Sequence, residues 1–419
     1  MGAGRPHFHL ACTRCAAAQA DAALACETCG GTLRVSYDQI DPRWDDRFPG
    51  SIWRFWRMLP IADPARGLSL GEGDTPLVRS RAVSEVELLW KDESRNPTGS
   101  HKDRALAVAV THALLGGARR SLVVSAGSTG LSNAAYAARA GLESISLMSR
   151  GAPEDRLSPL ATYGSRLIEI DAGIDDIIAA ARSLSGRHGI RVASTTRSSD
   201  PYQAEGGKTI AYELAEQLGG APDWVVVPVG GGGTIAAIWR GWQDLRAAGR
   251  VRTLPRLAAV VPATYPALQH AFAQGVSTQQ AFETLPFADD VPTILNKLSH
   301  AHPPDGIEAL EAIRNSNGTV VAVSDEDAIA GTLAIARRDG LYLEPSSGVV
   351  LPALERLLEA GVIAPSARVV ALACGSGFRE TFVMKHAQPL SRERASLAGL
   401  DALFADRAEQ EATHPSLPA

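Results

Sequence analysis

Nine short apolar runs, spaced by Ala- and Leu-rich stretches of helical length, limit what this chain can fold into more than any other feature. The runs are ELLW, SLVVS, SISLMS, RLIEID, RVAST, WVVVPV, RLAAVV, TVVAV and RVVALA, all after Glu87. They are nearly continuous in Val, Ile, Leu and Ala rather than alternating with polar residues. Strands of that kind are buried on both faces, which belongs to a parallel sheet with helices above and below. Two runs lead directly into glycine-rich turns: SLVVS into SAGSTG, and WVVVPV into GGGGT. In open parallel sheets the ligand sits at the carboxyl ends of the strands, where such turns lie. The reading is an α/β chain. Its 419 residues correspond to two or three domains at roughly 150 residues each.

The cysteines mark a separate N-terminal piece. Four of the five fall in the first 30 residues, Cys12, Cys15, Cys26 and Cys29, and Cys374 stands alone. Two CxxC knuckles supply four thiolates on two tight turns, the spacing of a closed tetrahedral zinc site. Four thiolates leave no open coordination position, so the metal would be structural. Two disulfides, or a ribbon that has lost its metal, are the alternative readings. Residues 1–40 thus read as a zinc ribbon. Residues 41–70, with four prolines and the aromatics Trp44, Phe48, Trp53, Phe55 and Trp56, read as a connector packed on the main body.

Charge and hydropathy exclude other classes. With 41 Lys and Arg against 46 Asp and Glu the net charge is −5, which argues against a nucleic-acid partner. No apolar run reaches the roughly 18 residues of a membrane span, and the first residues lack the apolar core of a signal peptide. A cytoplasmic protein without a membrane partner is expected. The tail after about residue 388 is polar and Ala-rich and reads as a terminal helix and a frayed end.

Two segments carry chemistry. In VVVPVGGGGTIAAIW, the N–H groups of Gly230, Gly231, Gly232 and Gly233 can converge on an anion, and the helix that follows adds its positive end. The pattern is neither GxGxxG nor a Walker loop, which disfavours dinucleotides and nucleoside triphosphates; a plain tight turn is the bland alternative. In NPTGSHKDR a helix is predicted to begin near Asp103, with Lys102 at its start. The helix dipole there lowers the lysine pKa and favours a free amine, which can form a Schiff base. A phosphate cradle together with a carbonyl-seeking amine points to pyridoxal 5′-phosphate.

Eight motifs, in order over about residues 8–385, resemble the threonine synthase family of fold-type II pyridoxal-phosphate enzymes. They are the ribbon, GEGDTPL at 71–77, NPTGSHKDR at 96–104, SAGST at 125–129, DPYQAEGGKTIAYELAEQLG at 200–219, VPVGGGGT at 227–234, LEPSSG at 343–348 and ACGSGFRE at 373–380. The resemblance implies a tryptophan synthase β-like fold of two α/β domains with parallel sheets. The large cofactor domain would comprise 41–105 and 201–390, the small mobile domain 106–200 and the tail 391–419. It also implies roles. Lys102 would hold the cofactor and move the α-proton, and Gly230 to Thr234 would bind its phosphate. Ser128 would face the ring hydroxyl, and Cys374 would sit beside the pyridine nitrogen. Ser125, Gly127, Thr129, Ser198 and Gln203 would meet the substrate.

A thiol beside the pyridine nitrogen cannot hold the ring protonated as a carboxylate would. The weaker electron sink suits elimination or replacement at the side-chain carbons. Some positions depart from the family. Ser128 stands for the usual Asn, His101 for the usual Phe, Thr234 for an Asn, and Gln203 for an arginine that binds substrate phosphate. The expected function is therefore elimination or replacement at the β- or γ-carbon of a small amino-acid substrate, with O-phosphohomoserine disfavoured. Arg95 and Arg197 are the cations nearest in sequence that could replace the lost charge. The alternatives are a β-eliminating ammonia lyase or β-replacement synthase, or, outside enzymes, a catalytically dead scaffold used for interaction. A homodimer is expected.

Overall fold

The computed structural model describes residues 7–21, 23–194, 196–286, 291–381, 383–384, 392, 394 and 396–399. Met1–Thr381 form one compact unit and Phe382–Ala419 a second. The terminal helix expected of the tail lies almost wholly outside the described residues; among those that are described, Leu397–Gly399 is a single 3-10 turn.

The N-terminal piece is a three-stranded antiparallel sheet. Its central strand β1 (Phe8–Cys12) pairs with β2 (Ala18–Gln19) and β3 (Leu33–Tyr37). Leu10 lies opposite Val35 and Cys12 opposite Leu33, all four buried, so one face of this small sheet packs inward.

All nine apolar runs contain or overlap a strand. β4 (Leu77–Arg79) and β5 (Glu87–Asp92) open a larger sheet. The chain then builds a separate four-stranded sheet from β6 (Arg120–Val124), β7 (Glu143–Ser149), β8 (Arg166–Ile170) and β9 (Ile190–Val192), in the order β8-β7-β6-β9, all parallel. It returns to the larger sheet with β10 (Trp224–Pro228), β11 (Arg256–Pro262), β12 (Thr319–Val323) and β13 (Arg368–Ala373), in the order β12-β11-β10-β13-β5-β4. Every pair in that sheet is parallel except β4 with β5. The two α/β domains with parallel sheets are as expected, and β4 adds one antiparallel strand at the edge of the larger sheet. The link between β4 and β5 is too short for the crossover a parallel pair requires, so the edge strand turns back on its neighbour.

Burial on both faces explains the apolar runs. Val225 and Val227 of β10 enter one core with Leu106, Val110, Ile210, Leu214, Ile238 and Trp242. Trp224 and Val226 enter the other with Ala328, Ile335, Leu351 and Leu354. Adjacent residues serve opposite cores because strand side chains alternate. In the smaller sheet Leu122, Ile145 and Leu147 pack on Ile177 and Ala181 of the helix Ile174–Leu184.

Four segments at the carboxyl ends of parallel strands matter for function. Asn96 to Lys102 follow β5, Ser125 to Thr129 follow β6, Gly230 to Thr234 follow β10, and Cys374 follows β13. Strands drawn from two sheets thus deliver the marked motifs to one region.

Candidate functional site

A cavity of about 580 Å³ lies between the two sheets. It is lined by Lys102 and His101, by Ser125, Gly127, Ser128 and Thr129, by Gly230 to Thr234, and by Cys374. Residues up to 273 positions apart in sequence, His101 and Cys374, meet there. Ser198 and Gln203 are not among its lining residues. Ser198 borders a second cleft of about 970 Å³ beside the ribbon, with Arg197, and Gln203 is buried at the start of the helix Gln203–Leu218. Neither Arg95 nor Arg197 reaches the first cavity. Arg95 is exposed, and Arg197 is bound to Glu308 at 2.9 Å.

Lys102 is the first residue of the helix Lys102–Leu115, one position earlier than the sequence suggested. The next two residues anchor that helix end. Asp103 accepts from the Thr98 N–H and hydroxyl and from the Ser132 hydroxyl, each at 2.6 Å. Arg104 is wholly buried and donates to Glu93 at 2.7 Å and Glu213 at 2.6 Å. Glu213 in turn takes Lys91 at 2.7 Å. Two cations and two carboxylates therefore balance beneath the helix. Lys102 Nζ, between these anchors and the cavity, makes no hydrogen bond or ion pair among the described residues. Burial pushes its pKa down, against the opposing influence of Cys374, Asp305 and Glu344. The amine is thus biased toward its free, nucleophilic form.

The glycine loop has the properties of an anion cradle. The N–H groups of Gly230 to Thr234 make no hydrogen bond within the chain among the described residues. They precede the axis of the helix Gly233–Ala247. Close approach from behind accounts for two of the glycines. A Cβ at Gly230 would lie 2.9 Å from the Lys297 carbonyl oxygen, and one at Gly232, where φ is +93°, would lie 2.6 Å from that of Asp305. The glycines are needed for packing as well as for the free amides. The loop after β6 is built alike. Ser128 and Thr129 begin the helix Ser128–Ala140 with unbonded N–H groups, and a Cβ on Gly130 would come within 2.3 Å of the Ser125 carbonyl oxygen.

His101 ties three motifs together. Its Nδ1 lies 3.1 Å from the Cys374 carbonyl oxygen and its Nε2 3.2 Å from Thr234 Oγ1. Burial, with the Lys102 charge adding to it, pushes its pKa down to about 3, so the ring is neutral. A carbonyl only accepts, so Nδ1 carries the proton and Nε2 accepts from the Thr234 hydroxyl. The single proton of Thr234 is then committed to His101, leaving its backbone N–H to serve the cradle. Cys374 is buried, and burial raises its thiol pKa far above neutrality, with Glu344 adding to it. It is a neutral thiol.

The structure adds residues that sequence reasoning missed. Arg156, Asn296, Lys297, His300 and Glu344 also line the cavity. Glu344 belongs to the LEPSSG motif, a signal that was available. Arg156 and the 296–300 loop lie in stretches with no motif. Lys297 bonds Glu344 at 2.5 Å and lies 3.1 Å from Glu380; Arg156 bonds Glu380 at 2.6 Å and Asn296 at 2.9 Å. Burial works against the charged form of Glu344, but Lys297 and Arg379 together outweigh it and the carboxylate pKa is lowered.

In the ribbon, the sulfurs of Cys12, Cys15, Cys26 and Cys29 lie within 4.8 Å of one another. Separations of 3.5 Å (Cys12–Cys29) and 3.6 Å (Cys15–Cys26) are close to the ~3.8 Å edge of a tetrahedron with 2.3 Å metal–sulfur bonds. The four cysteines could hold one metal ion.

A free amine in the cavity wall, an unbonded amide cradle and a neutral thiol around one cavity fit a phosphate-bearing aldehyde cofactor. A family model for the pyridoxal-phosphate dependent enzymes matches residues 68–375. The threonine synthase of Methanocaldococcus jannaschii is 32% identical over 367 residues, 85% of this chain and 88% of that protein. The Mycobacterium tuberculosis H37Rv threonine synthase is 33% identical, covering 80% and 89%. Among solved structures, a fungal L-serine ammonia-lyase from Rhizomucor miehei superposes with a TM-score of 0.61 at 23% identity, over 80% of this chain and 98% of that one. The chain belongs to the pyridoxal-phosphate-dependent enzymes, as a member of the threonine synthase family. It is a pyridoxal-phosphate-dependent lyase with the fold-type II architecture.

Proposed function

We propose that the enzyme binds pyridoxal 5′-phosphate on Lys102 and catalyses elimination or replacement at the β- or γ-carbon of an α-amino acid. One observation carries this: the unpartnered Lys102 amine and the free N–H groups of Gly230 to Thr234 line the same cavity. When bound, the cofactor supplies the electron sink that acidifies the carbon positions of its amino-acid adduct. The rest falls to the chain. Lys102 holds the cofactor and then carries the α-proton, a task its lowered pKa suits. The loop Ser125 to Thr129 holds the substrate carboxylate, with the helix-start N–H groups of Ser128 and Thr129 facing it. Cys374, as a neutral thiol, leaves the ring nitrogen without a counter-charge. Ser198 and Gln203 belong in this reading to the segment crossing between the sheets and not to the cavity wall. The four-stranded sheet and its helices act as the smaller body that closes on the substrate. The ribbon holds one structural zinc ion, and the enzyme works as a cytoplasmic homodimer.

The leaving group is uncharged or small rather than a phosphate dianion. The cations lining the cavity besides Lys102 are Arg156 and Lys297, and each is already paired with Glu380 or Glu344. Each of these two cations is thus matched by a carboxylate, the next cation, Arg379, donates to Ser128, and the Thr234 hydroxyl donates its hydrogen bond to His101. A dianion needs charge-assisted donors. Steady-state assays comparing O-phosphohomoserine with O-acyl homoserine, serine and threonine test the reading. Turnover of the uncharged substrates with weak use of the phosphate ester is expected. Efficient threonine formation from O-phosphohomoserine would overturn it and leave plain threonine synthase activity. Borohydride reduction tests the lysine: the wild type should retain reduced cofactor on Lys102, and Lys102→Ala should retain none.

A further inference from the structure

Two consecutive residues at the end of the ACGSGFRE motif reach across the cavity to the smaller body. Glu380 takes Arg156. Arg379 donates from Nη1 to Ser128 Oγ at 3.0 Å. That is the one hydrogen bond its guanidinium makes among the described residues, and its Nε is buried without a partner. The chain makes room for this side chain. Gly99 has φ of +81°, and a Cβ there would lie 2.9 Å from Arg379 Cδ. Arg379 is therefore built in, not draped on the surface.

Its partner, Ser128, is one of the four residues that depart from the family pattern. A serine hydroxyl has one proton and two lone pairs. Accepting from Arg379 occupies a lone pair and polarises the O–H, while the proton finds no acceptor within the chain among the described residues. Ser128 lines the cavity, on the loop assigned above to face the cofactor ring. We propose that Arg379 is a positioning residue which, through Ser128, holds the ring oxygen of the cofactor as an anion. An asparagine at this position would donate from its own amide; the serine needs a cation behind it. The inference rests on the pyridoxal-phosphate reading. It involves a single proton, shared between the lysine-derived nitrogen and the ring oxygen. A strong donor at the oxygen leaves the proton on nitrogen, which gives the visible absorption band. Loss of the donor moves the proton to oxygen and the band to the near ultraviolet.

The experiment compares absorption spectra and cofactor affinity, without substrate, for the holoenzyme and its variants. R379A and S128A should each move part of the visible band to the near ultraviolet and weaken cofactor binding about tenfold or more, as loss of a charge-assisted hydrogen bond does. R379K, which keeps the cation, should lie between, and serves also if R379A fails to fold by circular dichroism. The double variant S128N/R379A should regain the visible band, because the amide no longer needs the cation. E380Q weakens the neighbouring clasp without touching Ser128 and should leave the band in place. A wild-type band that R379A and R379K leave unchanged overturns the relay alone. An E380Q spectrum shifted like that of R379A also overturns it, in favour of simple closure. A colourless, cofactor-free wild type overturns the cofactor reading and this inference with it.

Discussion

At the residue scale, histidines held neutral by burial make the clearest solution prediction. His112, on the helix that starts with Lys102, has its pKa pushed down to about 4 by burial, against the pull of its contact with the Pro60 carbonyl. Its ring stacks on Tyr202 with centroids 3.8 Å apart. Below pH 6.5 the unfolded chain protonates this histidine while the folded chain does not, so the unfolded state binds more protons and stability falls as pH drops from 6.5 toward 4. The contribution is at most about 3 kcal/mol over that window. The buried carboxyls Asp200 and Asp305, raised by burial to about 6 and about 7, act in the opposite sense, since the unfolded chain ionises them first. The test is thus a difference measurement. Denaturant stability of the wild type relative to His112→Asn should decline from pH 7 to pH 4. A pH-independent difference would mean that His112 titrates normally in the folded protein.

At the scale of elements, the helix carrying Lys102 is fixed by charges that the chain buries at some cost. Arg104, Lys91, Glu93 and Glu213 join that helix, β5 and the helix Gln203–Leu218. Removing one member leaves an uncompensated charge in the core, a loss of about 3–5 kcal/mol. Glu213→Gln should therefore lower the thermal midpoint by many degrees in a holo or apo preparation, and calorimetry reads it directly. The helix also shows how far the motif could be read. NPTGSHKDR announced a lysine at a helix start and supplies Thr98 to Asp103 from within itself, yet the further partners Ser132 of Asp103 and Glu213 of Arg104 come from 29 and 109 positions away. No local pattern encodes those partners. The same limit hid β4, a three-residue, partly exposed edge strand whose pairing depends on β5 already being in place.

At the scale of the molecule, the ribbon is tied to the body behind the site. Tyr37 donates to Glu205 at 2.7 Å, Arg240 to the Val35 carbonyl at 3.2 Å, and Tyr202 to the Asp21 carbonyl at 2.9 Å. Glu205 and Tyr202 stand at the start of the helix Gln203–Leu218, which packs on the helix of Lys102. Metal loss should accordingly act on stability, not on the chemical step. Carefully prepared protein should hold one zinc per chain. Cys26→Ser should lower the unfolding temperature, while single-turnover rates of the remaining folded enzyme stay within about twofold. A chemical step that slows in proportion to metal removed would overturn the structural role.

The sequence by itself determined the architecture and the chemically reactive groups. Nearly continuous apolar runs are tolerated only in strands covered on both faces. Four cysteines in two knuckles have few uses, and a lysine at a helix start beside a glycine cradle in ordered motifs has few readings. These signals are local: each is written in residues a few positions apart. The tertiary structure alone decided which charges face the substrate. Arg156, Lys297, Glu344 and Glu380 come from four distant segments and neutralise one another. The Thr234 hydroxyl donates its hydrogen bond to His101, and Arg379 stands behind Ser128. Electrostatics and hydrogen bonding depend on distances of a few ångströms between atoms far apart in the chain, and only folding sets those distances.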